Sequence, residues 1–71
     1  MGDKIKYLRK RKLMTQEDLS FVSGVSRPVI ARLEKGQYKA IRIGTLCKIA
    51  DALGVDISIF FDKSLDVSSI E

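Results

Sequence analysis

The sequence has no histidine, no tryptophan, one cysteine (Cys47) and one proline (Pro28). A single cysteine excludes an internal disulfide, and without histidine it has no company for a zinc site. No metal and no cofactor is therefore expected. No stretch approaches the roughly 18 consecutive apolar residues of a membrane-crossing helix. No short apolar run behind a basic start resembles a secretory leader. A soluble, cytoplasmic chain is expected. The groups of catalysis are missing too: there is no Gly-rich phosphate loop and no nucleophile with a base. Glu17 and Asp18 are adjacent, and neighbours on a helix do not face one site. No enzymatic activity is expected.

What is present is ordinary for a small globular domain: 71 residues, 45% hydrophobic and 31% charged, with five glycines. That length makes one domain. It buries only about 60% of its unfolded surface, so modest stability is expected and self-association would add to it. Charge is unevenly placed. Residues 1–48 hold 12 Lys/Arg against 4 Asp/Glu, whereas residues 49–71 hold 1 Lys against 5 acidic residues. A basic amino-terminal two-thirds points to a polyanionic partner. The acidic end argues against a membrane surface.

Periodicity and punctuation predict short helices. The first spans about Asp3 to Lys12, with Ile5 and Leu8 on one face. Thr15 is a good N-cap for the second, and Asp18 three residues on resembles a capping box. That helix runs to about Ser23 with Leu19 inward, and Ser20 is small enough for close approach. Gly24 ends it. Val25 and Ser26 follow, Ser26 as the next N-cap. Pro28 falls in a first turn, where its missing N–H costs nothing. Ile30 and Leu33 point to the core, and Gly36 stops this third helix. Residues 37–42 form a loop. The fourth helix spans about Ile43 to Leu53, with Leu46, Ile49, Ala50 and Leu53 at core spacing, and Gly54 terminates it. Asp56 can cap a short fifth helix from Ile57 to Phe61. Residues 1–61 are thus expected to form the domain and residues 62–71 a loose tail. Neither strand alternation nor an internal repeat is evident.

The segment Thr15 to Gly36 contains two short helices around a tight Gly-containing turn, the helix-turn-helix plan. The TQEDL run, GVS at the turn, the Ile-Ala-Arg-Leu-Glu-Lys-Gly stretch and TLCKIADALGV occur together in this order and spacing. In these pieces the chain resembles the Cro/repressor-type (XRE-like) helix-turn-helix family over about Ile5 to Phe61. The resemblance implies an all-α, five-helix lambda-repressor-like fold. It also implies sequence-specific binding of double-stranded DNA in transcriptional regulation, commonly as a homodimer on a palindromic operator. A B-form major groove accepts a helix and an A-form groove does not, which favours DNA over RNA.

In such an arrangement Gln16, in the first turn of the second helix, contacts a phosphate. Ser26, Arg27 and Pro28 lead the recognition helix, about residues 27–35. Arg27 is the candidate for guanine O6 and N7. Pro28 offers apolar contact to a thymine methyl or simply a rigid first turn. Arg32 lies five positions after Arg27, about 140° further round, and reaches a base or a phosphate. In the family, residues at the loop positions of Lys39 and Arg42 grip phosphates. Here the stretch from Gly36 to Gly54 is about one residue longer than the commonest pattern and lacks the frequent loop proline. Tyr38 donates to a phosphate or covers the core. The resemblance places Arg9 and Glu34 as an ion pair between the first helix and the end of the third, with Arg9 structural or shared with a phosphate. Cys47 reads as a small apolar residue near the core.

A second reading is a protein-interaction module, antitoxin-like or partner-binding, whose basic face meets an acidic protein. Ile57, Ile59, Phe60 and Phe61 exceed what a short helix can bury, so part of this cluster is expected to form a dimer seam. No small-molecule ligand is implied.

Overall fold

A computed structural model describes residues 2–38 and 40–61 of the chain. Four α-helices follow one another: α1 (Gly2–Arg11), α2 (Gln16–Ser23), α3 (Arg27–Lys35) and α4 (Ile43–Leu53). A 3-10 helix, Ile57–Phe61, comes last. Among the described residues there is no strand. The expected fifth helix is therefore a 3-10 segment rather than a fifth α-helix. Five residues are too few to repay α-helix nucleation, and short pieces commonly take the tighter winding. Asp56 starts it by accepting a hydrogen bond at Oδ1 from the Ser58 backbone N–H at 2.8 Å. The expected tail, residues 62–71, lies outside the described residues.

Local chemistry sets the ends of each helix. α1 has Asp3 in its first turn and Arg9, Lys10 and Arg11 in its last, which suits the helix dipole. It closes with the Met14 N–H donating to the Arg9 carbonyl at 3.1 Å. Leu13 there takes φ 59°, a left-handed conformation usually left to glycine. The start of α1 runs so close to the end of α3 that a Cβ at Gly2 would collide with the Leu33 carbonyl oxygen. Glycine is what allows that approach.

One core joins all five elements. Ile5, Leu19, Val25, Ile30, Leu33, Leu46, Ile49, Ala50, Leu53 and Phe60 are buried together. α1 packs on α3, α2 on α3 and α4, and the 3-10 helix on α4. The Lys4 ammonium donates to the Ile59 carbonyl at 2.9 Å and ties the two ends of the domain together. One placement in the sequence reading changes. Cys47 is exposed rather than near the core. On α4 the buried stripe is Leu46, Ile49, Ala50 and Leu53, and Cys47 sits about 100° from Leu46, off its edge. The buried small residue of α2 is Ser23, while Ser20 is half-buried. No helix among the described residues is long and apolar enough to cross a membrane.

Candidate nucleic-acid interface

The α2–turn–α3 unit is built from three local devices. Thr15 caps α2: its Oγ1 accepts from the Asp18 N–H at 3.0 Å, while Asp18 Oδ2 accepts from the Thr15 N–H at 2.9 Å. This is a full capping box with Asp in the place usually held by Glu. Gly24 then turns the chain at φ 77°, a conformation strained for residues with a Cβ. Val25 is buried within the turn, and its N–H donates to Ser23 Oγ at 3.1 Å. An apolar anchor and a buried hydroxyl thus fix the angle at which α3 leaves.

α3 begins differently. Ser26 occupies the N-cap position but makes no side-chain capping hydrogen bond. Its carbonyl accepts from the Val29 and Ile30 N–H groups. Ser26, Arg27 and Pro28 are all exposed. This corner presents a hydroxyl, a guanidinium and a rigid ring to solvent.

Two depressions flank α3. The first, of about 670 Å³, is lined by Arg9, Lys10, Leu13, Met14, Thr15, Gln16, Glu17 and Arg27. It brings Gln16 and Arg27 together at the N-terminus of α2. The second, of about 960 Å³, runs between α3 and the start of α4, with Arg32, Tyr38, Arg42 and Thr45 among its walls. Arg27 and Arg32 therefore border different depressions, as their angular separation on a helix implies. Pro28 belongs to the exposed corner and lines neither depression. Lys39 lies outside the described residues.

A buried network supports the first depression. Arg9 Nε donates to Glu34 Oε2 at 2.7 Å, and its Nη2 to Oε1 at 3.0 Å. Its Nη1 donates to the Met14 carbonyl at 2.7 Å. One guanidinium thus clamps α1, the turn after it and α3. Gln16 Nε2 also donates to Glu34 Oε1 at 3.0 Å. Burial pushes the Glu34 carboxyl up, but the hydrogen bonds from Arg9 and Gln16 and the charges of Arg9 and Lys6 outweigh it. The net effect holds it below the ordinary carboxylate value. The hydrogen bond from Arg9 to Glu34 in turn raises the arginine, against a smaller effect of burial.

Two participants were not legible as such. Lys10 reads as one of several surface cations until the structure places it on the wall of the depression that Gln16 and Arg27 also line. The Gln16–Glu34 bond joins residues 18 apart, and no local spacing signals it. Among the described residues, no group of three or more His, Cys, Asp or Glu side chains is placed to hold a metal ion.

Comparison with known proteins agrees with this geometry. A family model described as helix-turn-helix matches residues 5–60. An uncharacterised HTH-type transcriptional regulator of Methanocaldococcus jannaschii is 43% identical over 61 residues, covering 86% of this chain and 91% of the relative. The immunity repressor protein of Bacillus phage phi105 is 34% identical over 58 residues. That match covers 82% of this chain but 40% of the repressor. No solved structure matches the chain. By sequence and by architecture, the chain belongs to the XRE-type helix-turn-helix family.

Proposed function

We propose that the chain is a sequence-specific regulator of transcription that binds double-stranded DNA, with α3 in the major groove. The observation that carries this reading is the exposed, uncapped start of α3 between two depressions that both carry arginine. A helix presented end-first with cations on either side matches a groove flanked by two phosphate strands. Gln16, with Lys10 beside it, takes a phosphate on one side. Arg42 and Lys39 take phosphates on the other. Arg27 reads guanine through O6 and N7, and Ser26 and Pro28 border the same base step. Arg32 serves the second strand. The names of the two relatives, a transcriptional regulator and a phage repressor, support the reading.

The regulator acts as a homodimer on a palindromic operator. Its two recognition helices are then about 34 Å apart, one turn of DNA. The seam draws on the carboxy-terminal apolar cluster, where Ile57 and Ile59 are half-buried and Phe61 is exposed.

Selection from a random duplex pool tests this, followed by affinity for the winner and a scrambled control across salt. A palindromic winner with at least ~10³-fold preference is expected. So is a log–log salt slope of about −0.9 per phosphate contact. No enriched motif, with binding that vanishes at moderate salt, would overturn the reading and put a protein partner first.

A further inference from the structure

Neither the core nor the proposed DNA grip accounts for the outer face of α2. Its inward side is buried through Leu19 and Ser23. Its outward side carries Glu17, Asp18, Phe21 and Val22, all exposed. Phe21 is 89% exposed and Val22 57%. A phenylalanine left in water gives up the burial it could have gained, so an aromatic–aliphatic pair here marks a surface meant to be covered. Glu17 borders the depression proposed for phosphate, but beyond that rim the face has no basic residue to hold DNA, and Asp18 disfavours phosphate.

The complement lies on the same chain. The outer side of α1 exposes Tyr7, Lys10 and Arg11. The Arg11 guanidinium lies over the Tyr7 ring at 5.7 Å from its centroid, and Nη1 donates to the Tyr7 hydroxyl at 3.2 Å. That pair is a preformed cation on an aromatic platform. One face is acidic and apolar, and the other is basic and aromatic. They sit on different helices, both packed on α3. Tyr7, Arg11, Phe21 and Val22 are all exposed in a single copy, so neither face covers the other there.

We propose that copies of this chain associate head to tail, the Tyr7–Arg11 face of one docking on the Glu17–Phe21–Val22 face of the next. Arg11 meets Glu17, and Phe21 and Val22 cover the Tyr7 ring. Each copy keeps one face of each kind open, so the contact extends rather than closes. It is therefore different from the two-fold pairing on a palindrome. A few side chains fall well short of the ~800 Å² per partner of a stable interface. The contact is weak between free copies. It becomes effective where one duplex holds copies side by side at high local concentration, as cooperative filling of neighbouring sites.

Sedimentation equilibrium without nucleic acid, at low salt, tests the contact itself. Its outcome is independent of the DNA reading. Over about 10 µM to 1 mM, the range where so small an interface assembles, the average mass of the native chain should rise without levelling at a dimer. Phe21→Ser should abolish that growth and leave the thermal midpoint within a few degrees, because the ring is outside the core. Glu17→Lys and Arg11→Glu should each weaken association at least about ten-fold. The double swap should restore it, and an equal mixture of the two single variants should associate although neither does alone. A native mass that levels at the dimer or stays at the monomer overturns the proposal and leaves the α2 face to a different partner. So does growth that persists in the single swaps, or a double swap that fails to restore it.

Discussion

The starts of α2 and α3 are eleven residues apart and handle the same problem in opposite ways. Both present backbone N–H groups without helical partners. At α2 two of them are satisfied by the capping box of Thr15 and Asp18, and the turn is braced further by the Gln16 side chain bonded to Glu34, which Arg9 grips from α1. At α3 the serine in the cap position makes no side-chain capping bond, and the next two residues are exposed. One start is braced by side chains of its own fold, and the other is an exposed corner without a side-chain cap. Rigidity next to an open corner is what a reading head requires, since the corner is only as well placed as the elements behind it.

The largest test removes the rigid side. The side chains of Arg9 and Glu34 are 9% and 4% exposed. Glu34→Ala leaves a guanidinium buried without its partner, which should cost about 3–5 kcal/mol. In thermal denaturation so small a domain should lose most of its stability, and an unchanged midpoint would show that the clamp is dispensable. Next comes the open corner. Arg27→Ala should leave the thermal midpoint unchanged, while binding to the selected duplex weakens by about 1–3 kcal/mol and preference relaxes at one base position. An unaltered selected site would take base reading away from Arg27.

Smaller effects separate the two helix starts directly. Thr15→Ala should destabilise the domain by about 1 kcal/mol through loss of the capping box. Ser26→Ala should cost at most a few tenths, since it removes no capping bond. Equal losses in parallel denaturant titrations would erase the distinction between them. Acid provides a milder probe. The folded Glu34 carboxyl lies below its ordinary value of 4.5. Hydrogen bonds from the Ser58 backbone and side chain lower Asp56 as well. Depressed carboxylates contribute stability that is full above their unfolded pKa and lost as pH falls through the folded one. The thermal midpoint should therefore decline below about pH 4.5. In Glu34→Gln that decline should be shallower, and an identical profile would assign acid sensitivity to other groups.

Much of this arrangement was legible in the chain. Thr15 with Asp18, Gly24, Gly36 and Gly54 mark helix ends by local chemistry, and the Leu46–Ile49–Ala50–Leu53 stripe marks a buried face by period alone. The fifth element was legible in position but not in kind, because residue type and capping mark where a turn starts, whereas five residues are too few to repay α-helix nucleation. Cys47 was misplaced for a related reason: residue type suggested the interior, but its register on α4 put it outside. Leu13 in a left-handed turn had no signal, since leucine carries no preference for that conformation.

What the sequence by itself determined is the order and approximate ends of the four α-helices and the charge they carry. Those follow from capping, spacing and residue type, all of which act within a few residues. What only the tertiary structure decided is which distant side chains share a space. Lys10 on one depression with Gln16 and Arg27, Gln16 bonded to Glu34, and Gly2 against Leu33 depend on how α1 lies across α3. That placement is set by close packing of a shared core and by one buried ion pair. It is a property of the whole set of contacts, and no stretch of the chain encodes it alone.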